Sequence, residues 1–546
     1  MNEQKRKILN YRPMCVLALA MIGGIILGES MFGLNVLFRL IPLLLLVCVF
    51  LAFVIVKKTR KFAYIILAIA VGFMGICASN DVYENETKIG KYSGYMTAKV
   101  SSEITTEWDS DKGKYAISFF VEDVYAGDTK LKLDGYVTLS SEDETDFFAG
   151  DIIRIYGDLN AYEHKAFDSF HAYDVARKEG YRIYASTVEK LKDGKLRPLE
   201  RVPYKIRQNF YSRLDDDTAG ICSALILGDK RGIDEGLYTN IAASGLAHVL
   251  AVSGLHISLL SSALYLILKK CKVNAKVSLI AVLLLTLMYC FFCGFTASSL
   301  RALIMTAVLN FASAFGKKGD ALSSMSLAAA IILLVRPTAL FEAGFLMSFS
   351  AVLGIVCYYK SFHKVGVKII EKTSPKRHIG TWLSRSVSLS LSTNLGTYPF
   401  VAFFFEKIPV LFLLSNVIVL PYLMFIYAIL LINTVFSLIV GWSGNLILFK
   451  YLLYPFRLYV TAIGTLSFAT IPVTISVVGI ILFLFLLLLM SRFIFLRRGE
   501  KLFVAIIACT FSLVITAVVS LANASNADAD IYAQATMTAV NLLNSP

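Results

Sequence analysis

The chain has 546 residues, 57% of them hydrophobic, a mean hydropathy of +0.66 and a formal net charge of +14. That apolar content exceeds what a soluble fold of this length needs for its core, and it excludes an ordinary soluble enzyme or binding domain. The charge is not one basic surface either: residues 81–200 carry 24 acidic against 16 basic side chains, net −8, and the remainder carries +22.

In chain order, apolar stretches long enough to cross about 30 Å of hydrocarbon fall near 14–30, 37–56 and 62–79, and then repeatedly from about 241 to 522. Lys5-Arg6-Lys7 and Arg12 ahead of the first stretch imitate a secretory signal. Further spans follow closely and no small-residue cleavage site ends it, so it reads as a retained helix. Basic residues gather in short connections, at Lys57-Lys58, Arg60-Lys61, Lys269-Lys270, Lys317-Lys318, between Lys360 and Arg385, and at Arg497-Arg498. By the positive-inside rule these connections are cytoplasmic, which places the N-terminus inside and gives about 13 spans. The expected fold is a polytopic α-helical membrane protein with an extracytoplasmic β-rich domain inserted after the third transmembrane helix. Its parts are three helices in 1–79, the outer domain at 80–200, amphipathic and connecting helices at 201–240, a transmembrane domain at 241–522 and a short extracytoplasmic tail at 523–546.

Within the outer domain the apolar period changes to two, at Tyr95–Val100, Tyr115–Val121, Gly135–Leu139, Ile152–Tyr156 and Tyr181–Tyr184, which predicts about five strands. Turn residues separate them at Asp111-Lys-Gly113, Gly127-Asp128 and Gly150-Asp151, and residues 162–179 suit a helix before the last strand. A small barrel of OB type fits this order. Tyr92, Tyr95, Trp108 and Tyr115 offer stacking surfaces for bases, but the net −8 and the run Glu142-Asp143-Glu144 oppose a polyanion. Downstream, Ile206, Phe210 and Leu214 fall four residues apart on one helical face, which reads as an amphipathic helix lying on the membrane.

None of the nine cysteines lies between 80 and 215, so a disulfide framework is not expected. Cys290-Phe-Phe-Cys293 has redox-motif spacing, yet it sits in an apolar run, where buried packing is the simpler role.

The most unusual segment is Gly245–Ile257, in which His248, Ser253, Gly254 and His256 interrupt apolar sequence at a cost that lipid makes high. The two imidazoles are eight residues apart, about 80° around an ideal helix, so they share a broad face of one; Gly254 permits a close approach or a break. Cross-helix packing and the lining of a polar path both account for such a set. Arg301, in Ser298-Ser299-Leu-Arg301-Ala, is placed either to meet a phosphate bidentately or to snorkel to the interface.

These residues resemble the ComEC competence family. His248-Val-Leu-Ala-Val-Ser-Gly-Leu-His256 is similar to the signature of its competence domain. Further similarities follow in the family's order: Ala224-Leu-Ile-Leu-Gly228, Ser299-Leu-Arg301-Ala, Arg336-Pro337, Glu342-Ala-Gly344-Phe-Leu-Met-Ser348, Tyr398-Pro399, and Ser415-Asn416 leading to Pro421. Phe167-Asp168, Tyr173 and Gly180-Tyr181 are similar to the end of the family's OB-like region.

The resemblance implies a channel in the bacterial cytoplasmic membrane that translocates single-stranded DNA during natural transformation. Its implied partners are single-stranded DNA, membrane lipid, an extracytoplasmic DNA receptor, a separate nuclease and a cytoplasmic helicase. Many relatives continue into a metallo-β-lactamase-like domain that this chain is expected to lack. Its six histidines, His164, His171, His248, His256, His363 and His378, make no His-x-His-x-Asp-His cluster. Neither His-Glu-x-x-His nor Gly-x-Ser-x-Gly occurs, and Asp229-Lys230-Arg231 with Asp234-Glu235 reads as a solvated turn, so no enzyme, metal or cofactor is expected.

A strand with one charge per nucleotide needs a wet path with cationic or donor groups. The expected lining is His248, Ser253, Gly254 and His256 at a break in a core helix, with Arg301 touching passing phosphates. Glu342 and Glu406, set to hold Arg301 or Lys407 in salt bridges, and Asn416 are the expected gate or structural polar residues. Two alternatives remain: a transporter of another polar solute, and a non-transporting scaffold for a competence machine.

Overall fold

The computed structural model describes residues 13–30, 41–46, 49, 63–87, 91–100, 105–109, 114–127, 129–130, 134–141, 150–161, 179–192, 201–230, 232–294, 297–314, 320–373, 377–440, 444–473, 475–491 and 504. The expected helix at 162–179, most of the second apolar stretch, the acidic run 142–144, the basic connections at 57–61, 317–318 and 497–498, nearly all of the spans beyond 491, and the tail lie outside them. Among the described residues the protein is mostly helical with a small sheet. Its two compact units are the described parts of Arg12–Phe349 with Pro409–Thr470, and of Ser350–Ile408 with Ile471–Pro546.

The first unit opens with α1 (Pro13–Ser30) and α2 (Ala63–Thr87). They pack through small residues: a Cβ on Gly24 would strike the Ile69 carbonyl, and one on Gly72 the Met21 carbonyl. Lipid gives no hydrophobic drive between helices, so such backbone approach supplies the attraction.

The strands that follow are β1 (Lys91–Val100), β2 (Thr105–Asp109), β3 (Lys114–Ala126), β4 (Thr129–Lys130), β5 (Asp134–Ser141), β6 (Ile152–Ala161) and β7 (Glu179–Lys192). All five expected segments lie inside β1, β3, β5, β6 and β7; the short β2 and β4 carry no periodic signal of their own. The sheet runs β1-β6-β7-β5-β3-β2, and β1 also pairs with β3, which closes a ring of five strands. Every pairing in the ring is antiparallel except β5 with β7. Alternate residues fill it: Met96, Ala98 and Val100 on β1, Ile153, Ile155 and Leu159 on β6, Val137 and Leu139 on β5, and Ile183 on β7 are all buried. On the outside, Tyr95 stays 63% exposed and pairs with Tyr156 at 4.8 Å between ring centroids.

Next come α3 (Arg201–Tyr211), α4 (Asp216–Leu227), α5 (Glu235–Ala243), α6 (Gly254–Lys270), α7 (Ala275–Phe292), α8 (Ala297–Ala314) and α9 (Ala321–Val335). After the long α10 (Ala343–Thr373) and α11 (Arg377–Phe405), the first unit resumes with α12 (Phe412–Val440) and α13 (Leu448–Gly464). Its largest core joins α3, α4, α5, α12 and α13, and includes Ile206, Phe210, Leu214, Tyr427 and Phe456. The apolar face of α3 is therefore covered by protein, with Asn209 Nδ2 donating to Ser437 Oγ at 3.3 Å, and is not left for lipid as expected. Amphipathic periodicity reports that a face is buried, not what buries it.

In the second unit α10 and α11 meet closely, since a Cβ on Gly354 would strike the Ser392 carbonyl and one on Gly396 the Ser350 carbonyl. Tyr358 on α10 donates to the Leu487 carbonyl of α14 (Val477–Met490) at 2.7 Å. Three described helices are long and apolar enough to cross a membrane: Pro13–Ser30, Ala343–Ile369 and Phe412–Val440. Shorter apolar helices occur at Ala63–Ser79, Lys276–Phe292, Ser298–Val308, Ala321–Val335 and Val478–Met490.

Candidate functional site

The signature segment does not form one helix. α5 ends at Ala243, Gly245 takes a left-handed φ of 79°, Ala247–Val249 make a single 3-10 turn, and α6 begins only at Gly254. Gly245 is required there twice over, because a Cβ would also lie 3.0 Å from Phe412 Cβ. The break expected at Gly254 thus falls before it, across 250–253, and the two histidines share no helical face. His248 is exposed, its Nδ1 3.1 Å from the Gly245 carbonyl, while His256 is fully buried in the first turn of α6.

Ser253 caps α6 and orders His256. The Ser253 N–H donates to His256 Nδ1 at 3.1 Å, and Ser253 Oγ lies 3.0 Å from the same nitrogen while accepting from the Leu255 N–H at 3.2 Å. A ring whose Nδ1 accepts carries its hydrogen on Nε2. That Nε2 is buried and has no hydrogen-bond partner among the described residues. The imidazole meets the Tyr427 ring edge to face at 4.5 Å, Tyr427 donates to Tyr289 Oη at 3.2 Å, and Tyr289 donates to the Ile226 carbonyl at 2.8 Å. Gly228, at φ 76°, ends α4 against Val252, so the Ala224–Gly228 string and the signature are packed on one another.

Arg301 reaches the same place from α8. It is 9% exposed, so it does not snorkel. A Cβ built on Gly254 would sit 3.1 Å from Arg301 Nη2 and 3.7 Å from Ala302 Cβ, so glycine at the first position of α6 is what admits the guanidinium. Its Nε donates to Ser348 Oγ at 2.6 Å, Ser298 Oγ is 3.2 Å from that hydroxyl, and the guanidinium carbon stands 5.9 Å from the centre of the Phe349 ring. Among the described residues no carboxylate lies within 4 Å of Arg301. The salt bridge expected from Glu342 goes to Arg336 instead, six residues before it across a Pro337–Phe341 turn, a local partner that sequence spacing favours over a distant one. A buried cation therefore stands at the positive end of α6 with only neutral partners.

The other expected residues are placed as follows. Asn416 lies in the π-turn Ser415–Val419 of α12 with a buried, unpaired Oδ1 among the described residues. Pro421 accounts for the turn, since it leaves the Val417 carbonyl without its i+4 donor and crowds it. Glu406, at a left-handed φ of 54°, and Lys407 are exposed in the second unit and make no salt bridge among the described residues. Asp229 pairs with Arg207 at 3.4 Å, and Asp234 caps α5 by accepting from the Leu237 N–H at 3.1 Å. Cys290 and Cys293 are buried thiols facing the carbonyls of Ser299 and Ile226, a packing role.

Sequence reasoning missed Tyr289, Tyr427 and Ser348 as parts of the site. The first two are hydroxyls inside otherwise apolar helices, which is the signal that would have found them.

A family model described as Competence protein matches residues 225–499, half of the chain, and takes in the signature segment, Tyr289, Arg301, Ser348 and Tyr427. The chain belongs to the Competence protein family. It is 28% identical over 214 residues to ComE operon protein 3 of Bacillus subtilis (strain 168), a match covering 39% of this chain. That match spans about a quarter of the Bacillus protein, 26% of its length. No solved structure matches the chain. As a Competence family member with helices of spanning length and composition, it is a membrane protein.

Proposed function

We propose that this Competence family protein takes part in DNA uptake by translocating single-stranded DNA across the bacterial cytoplasmic membrane, past the broken segment 245–253 and Arg301. The observation that carries this reading is Arg301: a buried cation at a helix N-terminus, held by a hydroxyl and a ring, with no described carboxylate within salt-bridge distance. Such a group favours a visiting anion, and guanidinium geometry matches a phosphodiester's paired oxygens. Neutral partners hold it without competing for that role, and a contact that must release suits transient passage.

His248 at the exposed turn and the unpaired Nε2 of His256 supply further donors in this reading. The ring of β1, β3, β5, β6 and β7, with one parallel pair, supports an OB-like outer domain, on the extracytoplasmic side of a multi-pass protein whose N-terminus is cytoplasmic. A DNA receptor and nuclease outside and a helicase inside are the partners such a path requires.

The test is entry of labelled, nuclease-protected DNA into a deletion strain complemented with the intact chain or with Arg301→Ala. Entry with the intact chain and its loss in the correctly inserted variant is the expected outcome. Entry independent of the chain would remove the reading.

A further inference from the structure

One helix of the first unit presents two apolar faces of different fate. On α13, Phe449, Leu453, Phe456, Val460 and Ile463 form a stripe that is buried in the core shared with α4, α5 and α12. On the opposite side, Tyr451, Tyr454 and Leu458 make a second stripe at the same spacing, 72%, 63% and 59% exposed. Polar residues occupy one flank between them, Lys450, Arg457 and Thr461. At 17 residues α13 is about 25 Å long, short of the roughly 30 Å of hydrocarbon, and it carries a cation in its first turn, Lys450, and another at its middle, Arg457.

Arg457 is not free for solvent. Its Nη1 donates to Asp215 Oδ2 at 2.8 Å and its Nη2 to Asp217, both carboxylates at the start of α4. Lys450 is 58% exposed at its side chain, and its Nζ is 3.9 Å from Asp215 Oδ1, so it stands at the edge of the exposed stripe with most of its head uncovered.

We propose that α13 lies in the membrane–water interface, with Tyr451, Tyr454 and Leu458 seated at the boundary of acyl chains and headgroups and Lys450 directed to lipid phosphate. Three features favour lipid over a protein partner. The exposed stripe ends in tyrosines, whose apolar ring and polar hydroxyl match that boundary; the flanking charge complements anionic headgroups; and the opposite face is already committed to a core built on α12, a helix of spanning length. The Arg457 ties to α4 pass this anchoring on to the carbonyl of Ile226 that holds Tyr289, so the interface helix sets the depth of the candidate site. The inference depends on the protein being membrane-embedded and not on what it carries.

The test uses the full chain with Trp108, Trp382 and Trp442 changed to phenylalanine and one tryptophan introduced as Tyr451→Trp, Tyr454→Trp or Phe449→Trp. Each is reconstituted into vesicles of phosphatidylethanolamine and phosphatidylglycerol bearing a nitroxide near either the carbonyl or the methyl end of the acyl chain. Tyr451→Trp and Tyr454→Trp should be quenched more strongly by the shallow label than by the deep one, and Phe449→Trp by neither. Stronger quenching by the deep label would overturn the proposal in favour of a spanning helix. No quenching at 451 and 454 would overturn it in favour of water, a second copy or another protein. If the tryptophan-free chain does not insert, Tyr451→Cys and Tyr454→Cys serve instead, each read as labelling above that of the native chain with its nine cysteines. The added thiols should react with a lipid-soluble maleimide and resist a charged one, and ready labelling by the charged reagent would refute the placement.

Discussion

Replacing Arg301 by methionine is expected to stabilise the protein while stopping DNA entry, a pairing that a structural arginine does not give. The losses are the charge-assisted bond to Ser348, worth about 1.5–3 kcal/mol, and the contact with the Phe349 ring, worth about 0.5–2 kcal/mol. Against them stands the cost of keeping a guanidinium 9% exposed with no described carboxylate to compensate it, several kcal/mol for a single ion. Repulsion from the α6 N-terminus adds about 0.3–1 kcal/mol. Methionine fills a similar volume with apolar atoms, and Ser348 keeps Ser298 as a partner at 3.2 Å. The net is about 1–3 kcal/mol in favour of the variant. In a thermal melt of the purified protein in detergent this appears as a raised midpoint, by less per kcal/mol than the roughly 2–4 °C of a 150–250-residue domain. A variant that melts lower than the parent by the equivalent of about 1 kcal/mol or more would show the guanidinium to be a structural anchor and refute the reasoning.

Removing the Tyr427 hydroxyl alone, as Tyr427→Phe, should cost about 1 kcal/mol through the lost bond to Tyr289, whereas Tyr427→Ala should cost about 3–5 kcal/mol by opening a cavity against His256; the same melts measure both. Gly228→Ala should destabilise by about 1–2 kcal/mol because φ is 76°, and a Cβ would press on Val252, while Gly23→Ala in α1, with nothing within 4 Å, should be neutral or slightly stabilising. Burial alone would raise the Asp215 carboxyl, but the Thr218 hydroxyl, its own backbone N–H and Arg457 together hold it below the usual carboxylate range. A depressed folded-state value means that its contribution is complete at neutral pH and is lost as pH falls through that value, below about 3.9. Asp215→Asn should flatten the acid side of the stability profile, and an unchanged profile would assign that slope elsewhere.

Much of the fold could be read from periodicity, because five strands alternate and close on themselves with the same residues inward that the pattern indicates, from Met96 to Ile183. Membrane character followed from composition alone. What periodicity does not encode is the partner of a buried face: Ile206, Phe210 and Leu214 signalled burial correctly but meet α12 and not lipid. The site was legible as residue types, since histidine, serine and arginine in apolar sequence are costly enough to need a reason. Its geometry was not, because Gly245 is left-handed, His248 sits in a 3-10 turn, and non-helical residues 250–253 separate it from His256 in the next helix; such backbone choices leave little trace in hydrophobic spacing. Long-range pairs were likewise hidden: Arg301 with Ser348, and Tyr427 with Tyr289, depend on helices brought together from far apart in sequence.

The most direct test of the central claim is photo-crosslinking during uptake. Benzoylphenylalanine is incorporated at the position of His248, on the exposed turn before α6, and as a control at the position of Leu266, an exposed apolar residue further along the same helix. Labelled DNA entering living cells should attach at 248 and not at 266. Normal DNA entry with no adduct at 248 would contradict a path along this segment.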